Sequence, residues 1–145
     1  MDFSPKTSLI HLLHRASQIA EDRLMRELDD GDVTPRQIAV LAVVAANEDA
    51  SQTDIVGATG IDRSTLADIM RRLVNRKLVS RKRTKDDARA YAVRITDTGR
   101  RVLSAGLPVL ARVEAELLEV LPVKKRSDLV GLLKELAEKG AKAEA

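Results

Sequence analysis

Residues 51–96 read SQTDIVGATGIDRSTLADIMRRLVNRKLVSRKRTKDDARAYAVRIT. Ser51 and Asp54 form a Ser-x-x-Asp capping pattern that opens a short helix, with Ile55 and Val56 as its apolar contacts. The small residues from Gly57 to Gly60 (GATG) predict a tight turn, and Asp62 is then placed to cap a second helix. Ile61, Leu66, Ile69, Met70 and Leu73 recur at helical spacing and define its core face. At about 100° per residue, the opposite side carries Ser64, Asp68, Arg71, Arg72 and Asn75, flanked by Arg63, Thr65 and Ala67. Two helices joined so closely must cross. Leu78 and Val79 next begin a strand, and Tyr91, Val93 and Ile95 alternate with Ala92 and Arg94 on a return strand. This order of elements is a winged helix-turn-helix.

A charged outer face is ordinary on any surface helix. Here its composition is specific: short hydroxyls at the helix start allow close approach to base edges, and arginines one and two turns later reach phosphates or a guanine. The hairpin tip, RKRTKDDAR, is dense in Arg81, Lys82, Arg83, Lys85 and Arg89. Beside a helix-turn-helix such a hairpin lies along the sugar-phosphate backbone, where each cation contact releases counterions and an arginine can enter a narrow minor groove. Helix and hairpin together point to double-stranded DNA.

The run DRSTLADIMRRLVNRKLV, the wing DDARAYAVRITDTGR and the upstream VTPRQIAVLAVV resemble the multiple-antibiotic-resistance regulator (MarR) family of bacterial transcription factors. The likeness covers about residues 33 to 105 by motif and the flanking helices by layout; it includes Asp87-Ala88-Arg89 at the wing tip, followed by Ile95-Thr96 and Gly99. The resemblance implies that Asp87 braces the wing and that Arg89 enters the minor groove. The chain departs from the family's common pattern at Ala67 and Asp68, where longer polar or basic side chains are frequent.

Outward from this motif, Thr34-Pro35-Arg36-Gln37 is a capping box with proline at the first helical position, opening a nearly all-apolar helix of Ile38, Val40, Leu41, Val43 and Val44. Asp29 to Asp32 (DDGD) precedes it as a turn. A first helix is expected over residues 4 to 28, capped by Ser4 with Pro5 following; its apolar stripe, from Leu9 through Leu12, Leu13, Ala16, Ile19, Ala20 and Leu24 to Leu28, is too wide for one small neighbour. After the wing, Thr96 caps a long helix from about Asp97 to Leu121, in which Pro108 predicts a bend. Pro122 starts a last helix with Leu129, Leu132, Leu133 and Leu136, ending near Gly140.

The 145 residues are thus read as one mainly α domain with a two-stranded β wing. Its winged helix-turn-helix occupies residues 33–96, with a recognition helix over 62–77 and the wing over 78–96. Residues 4–28 and 97–140 form a helical dimerisation body, because they carry more apolar surface than a compact winged helix needs to cover. A homodimer of this kind presents two reading helices to half-sites about one helical turn apart.

Cysteine is absent, which excludes disulfides, thiolate metal sites and cysteine-based redox sensing. The net charge is only +3, so the informative feature is the concentration of bases between Arg63 and Arg101. The N-terminus carries no secretion signal and no apolar stretch is long enough to span a bilayer; no membrane partner and a cytoplasmic location are expected. No nucleophile-base grouping, metal set or phosphate-cradling loop is evident, so neither an enzyme, a cofactor nor a metal is expected. His11 and His14 lie at i and i+3 without further ligands, more in keeping with packing or an interface than with a metal. The MarR resemblance implies a homodimeric repressor that binds a pseudo-palindromic operator and is released by a small effector bound between the dimer body and the winged helix. His11, His14, Arg15 and Arg36 are the residues read as its crevice wall, and these cations suit an anion such as an aromatic carboxylate or an acyl-CoA thioester. The alternative is an architectural DNA-binding protein without effector, which would discriminate little between sequences, whereas a regulator prefers its operator by roughly 10³-fold or more.

Overall fold

The computed structural model describes residues 3–28, 33–84 and 91–143. Six helices and one hairpin follow in order: α1 (Leu9–Glu27), α2 (Pro35–Ala46), α3 (Gln52–Thr59), α4 (Arg63–Asn75), β1 (Val79–Arg83), β2 (Tyr91–Ile95), α5 (Asp97–Leu118) and α6 (Val123–Ala143). The expected turn at Asp29 to Asp32 lies outside the described residues.

Local chemistry sets most of the boundaries. At α2 the Thr34 hydroxyl accepts from the Gln37 amide (3.3 Å) while the Gln37 side chain accepts from the Thr34 amide (3.2 Å), so the capping box is complete and Pro35 occupies the first turn. Ser51 and Asp54 make the same reciprocal cap at α3. Several boundaries differ from the sequence reading. α1 starts at Leu9: the Ser4 carbonyl accepts from the amides of both Thr7 and Ser8, closing a separate turn, and Ser8 takes the cap instead with its hydroxyl on the His11 amide. Gly57 belongs to α3, and only Gly60, at φ 68°, makes the turn into α4. α5 stops at Leu118, with Leu121 folded back onto the Leu118 carbonyl, and α6 runs past Gly140. α5 continues through Pro108.

α4 ends two residues short of the expected Lys77, because Lys77 adopts φ 57°. The Leu78 amide reaches back to the Leu73 carbonyl and the Lys77 amide to that of Val74, both at 2.9 Å, which is a Schellman ending with buried Leu73 and Leu78 packed across it. A left-handed lysine is strained where glycine is not. Lys77→Gly is therefore expected to raise the unfolding free energy by about 0.5–1 kcal/mol, net of the added freedom of the unfolded chain, in denaturant melts.

The nearly apolar α2 is the centre of the domain: Val40 and Leu41 are fully buried, and α5, α3, α4 and β2 all pack on it. Gly106 of α5 is buried beside Ile38 of α2; a Cβ there would make ordinary contact with the Ile38 side chain at 3.4 Å. Leu66, Met70 and Leu73 fill the space beneath α4 as its periodicity predicts. β1 and β2 pair antiparallel, Val79 opposite Ile95 through Arg83 opposite Tyr91. A third chain segment, absent from the sequence reading, joins this sheet: the Ala50 carbonyl accepts from the Val93 amide at 2.9 Å.

The ends of the chain are covered differently. α1 lies antiparallel along α5, with ion pairs Arg23–Glu116 (4.0 Å) and Arg112–Glu27 (2.8 Å), and buries Leu24 and Leu28. Towards its start Leu9, Ile10, Leu12 and Ile19 are exposed, Ile10 by 80%. Among the residues of α6 whose burial is described none is buried, and Leu129, Leu132, Leu133 and Leu136 are open along it. Among the described residues no helix is long and apolar enough to cross a membrane.

Candidate nucleic-acid interface

The α3–α4 turn is fixed by small polar groups. Thr59 donates its hydroxyl to the Ile55 carbonyl (2.7 Å) and accepts from the Ile61 amide (3.2 Å), while left-handed Gly60 reverses the chain. Asp62 then accepts from the Thr65 amide (2.9 Å), the Thr65 hydroxyl (2.6 Å) and the Ser64 hydroxyl (3.2 Å). The Thr65 hydroxyl and amide hold the Asp62 carboxyl below the ordinary carboxylate range. Such a lowered group adds stability above its unfolded pKa and loses it only as pH falls through the lowered value, so the cap is intact at neutral pH. Because both hydroxyl hydrogens are engaged by Asp62, Ser64 and Thr65 are left with oxygen lone pairs to offer, which suits base amino groups.

Along the rest of α4, Arg63, Ser64, Ala67, Arg71, Arg72 and Asn75 are exposed, and Thr65 and Asp68 are half-buried. The Asp68 carboxylate pairs with Arg71 one turn on and with Arg72 Nε at 3.2 Å.

On the hairpin Arg81, Lys82 and Arg83 are exposed, and Arg83 sits over the Tyr91 ring, 5.8 Å from its centroid, while donating to the Tyr91 hydroxyl at 3.4 Å. Among the described residues, the last cation of β1 is thereby held by its cross-strand neighbour. The three tip residues read as DNA contacts, Lys85, Asp87 and Arg89, lie outside the described residues.

Sequence reading missed the brace at the other end of the hairpin. Arg94 donates through Nε (2.5 Å) and Nη2 (2.7 Å) to both oxygens of Asp49, which itself adopts φ 62°. The Arg94 guanidinium holds the Asp49 carboxyl below its usual range. This fork fastens the loop before α3 to β2, next to the Ala50–Val93 bridge, and so orients the wing relative to the helix-turn-helix. The acidic turn residue was the only local signal, and nothing in it names a partner 45 positions away.

Among the described residues three concavities flank α2, one of them, about 400 Å³, an open groove between Pro35, Arg36, Ala39 and the turn from Thr59 to Asp62. A cavity of about 250 Å³ between α1, α2 and α5 is walled by Leu24, Leu110, Val113 and Leu117, with Arg36, Glu21, Glu114 and Ser17 as polar members. A shallower depression of about 420 Å³ lies between the start of α2 and α4, with Arg36, Ser64, Thr65, Asp68 and Arg72 on its rim. Arg36 borders all three. His11, His14 and Arg15 stand exposed nearer the start of α1 and line none of them. Among the described residues no three His, Cys, Asp or Glu side chains group as metal ligands.

Comparison with known proteins places this arrangement. The sequence model of the MarR family matches residues 31–90. The transcriptional regulator HosA of Escherichia coli O111:H- is 30% identical over 113 residues, which span 78% of this chain and 82% of HosA. Among solved structures, BpsR of Bordetella bronchiseptica, studied for regulation of its DNA binding by 6-hydroxynicotinic acid, superposes with a TM-score of 0.86 at 25% identity over 95% of this chain and 99% of its own. The transcriptional repressor CouR, solved on a 23-mer DNA duplex, superposes with a TM-score of 0.81 at 28% identity over 94% of this chain and 99% of its own.

Proposed function

Since the chain belongs to the MarR family and is accordingly a DNA-binding transcriptional regulator rather than an enzyme, we propose that it acts as a homodimeric repressor whose hold on a pseudo-palindromic operator is released by a small aromatic carboxylate. In this reading α4 enters the major groove. Ser64, Thr65, Ala67, Asp68, Arg71 and Asn75 face base edges, and Arg63 and Arg72 face the backbone. Arg81, Arg83 and Lys85 follow the phosphates beside it, and Arg89, braced by Asp87, reaches the minor groove.

The homodimer is supported by the leucines exposed in series along α6 and at the start of α1, since apolar side chains clustered on one surface mark an interaction site. His11, His14 and Arg15 share that exposed part of α1 and would then meet the second subunit, which is how they would come to act on an effector.

The observation that carries the effector reading is the position of Arg36, on the wall of the apolar cavity and on the rim of the depression against α4. One guanidinium at that wall can clamp a carboxylate within the cavity or stay on the DNA-facing side, so occupancy and DNA affinity are linked. The volume of about 250 Å³ sits below the roughly 300–1,000 Å³ of drug-sized sites. It suits a single-ring acid; of an acyl-CoA thioester only the acyl end would enter. BpsR, which responds to 6-hydroxynicotinic acid, offers a parallel of that size.

The test is selection of duplexes from a random pool, followed by titration of single-ring aromatic carboxylates against the bound operator. Enrichment of a pseudo-palindrome and its release by one of these acids are expected. Equal affinity for all duplexes would favour the architectural alternative. Arg36→Gln is expected to raise the acid concentration needed for release by roughly 10- to 100-fold, the value of a charge-assisted hydrogen bond, with operator affinity changed much less. An unaltered release curve would remove Arg36 from the effector site.

A further inference from the structure

Asp68 is the one acidic residue within α4, and it lies among the exposed side chains that the proposed function turns towards DNA. An acid three and four positions before arginines adds a little helix stability wherever it occurs. At this place it does more, because the two side chains it holds, Arg71 and Arg72, are the cations of the middle and end of the helix, and both are about two-thirds exposed (67% and 64%). One oxygen of the carboxylate takes Arg71 and the other takes Arg72 Nε, so a single negative charge restrains both guanidiniums.

Two consequences follow from charge and hydrogen-bond capacity. A run of phosphates presented without matching bases gains little from α4, since drawing Arg71 and Arg72 onto it breaks two charge-assisted bonds and leaves a carboxylate facing a polyanion. A carboxylate has about four acceptor positions and uses two here, so it can accept a base amino hydrogen while still orienting the arginines. The major-groove donor that a carboxylate reads is cytosine N4. We propose that Asp68 is a specificity-determining residue: it suppresses sequence-independent binding by holding Arg71 and Arg72, and it selects a cytosine at the base pair facing the first half of α4. The proposal rests on the reading of α4 as the DNA-reading helix.

The experiment compares the wild-type dimer with Asp68→Asn, which keeps the shape and removes the charge, and with Asp68→Glu, which keeps the charge. Each is used for duplex selection and for affinity measurements on the selected operator and on a scrambled duplex across a salt series. For Asp68→Asn, scrambled-duplex affinity is expected to rise by about 3- to 10-fold, its salt slope to steepen by about one to two as freed arginines reach phosphates, and the operator-to-scrambled ratio to fall at least roughly 10-fold. Its selected sequences should lose the cytosine, and Asp68→Glu should keep the low scrambled-duplex affinity. If Asp68→Asn selects the same sequences with an undiminished ratio, Asp68 is a simple repulsive charge and the proposal is overturned while DNA reading by α4 stands. If the wild-type dimer selects no sequence at all, DNA reading by α4 and the role of Asp68 fall together.

Discussion

If the proposed homodimer forms through α6, replacing Leu132 and Leu136 together by aspartate is expected to split it and to lower operator affinity by about 10²-fold or more, the contribution of the second linked reading head. The two leucines lie one turn apart on α6 and are 64% and 49% exposed in the single chain. The double substitution therefore removes nothing from the core around α2, and each chain should keep its helical content. Within an apolar interface, by contrast, each buried carboxylate costs several kcal/mol. Sedimentation at micromolar concentration separates the outcomes: a species of single-chain mass is expected, and a persisting dimer would show that α6 is not part of the interface. The assay also separates association from DNA reading, because the isolated half should still bind a half-site weakly and with unchanged base preference.

Gly99→Ala is expected to destabilise the fold by about 3 kcal/mol, lowering Tm by roughly 10 °C. Gly99 lies in the first turn of α5, directly against the link between α4 and β1. A Cβ built there would stand 2.0 Å from the Leu78 carbonyl oxygen and 2.8 Å from Ile95 Cγ1. That carbonyl is held in place: it accepts from the Thr96 amide (3.1 Å), the single Thr96 hydroxyl hydrogen is shared between the Lys77 carbonyl (2.7 Å) and that of Leu78 (3.0 Å), and the hydroxyl oxygen accepts from the Gly99 amide at 3.0 Å. Because the obstacle is backbone and not a flexible side chain, relief requires shifting the strand that carries the wing. DNA affinity should fall with stability, and an unchanged melting midpoint would show that the junction is softer than its hydrogen bonds imply.

The residues that specify helix starts were legible because their chemistry is local. Thr34 with Gln37, Ser51 with Asp54, and Asp62 with Thr65 each pair across three positions, and the apolar spacing of Leu66, Ile69, Met70 and Leu73 fixes which side of α4 turns inward. Helix ends were less legible. Lys77 carries no glycine signal for the left-handed ending it makes, and the extra turn at Ser4 diverted the start of α1 to Ser8. Of the α1 stripe, only Leu24 and Leu28 are buried within the same chain, a division that periodicity cannot express.

By itself the sequence determined the order of the elements, the inward faces of α2 and α4, the caps and the kinship of the helix-turn-helix, all of which depend on residues within about a turn of one another. Tertiary structure alone decided that Asp49 would grip Arg94, that Ala50 would extend the wing sheet, that Leu78 would close over Gly99, and that Arg36 would stand between a cavity and α4 while His11, His14 and Arg15 would not. Those contacts join side chains whose separation along the chain carries no periodic trace, and they exist only once α2 is packed between α5 and α4 and brings the two ends of each pair within reach.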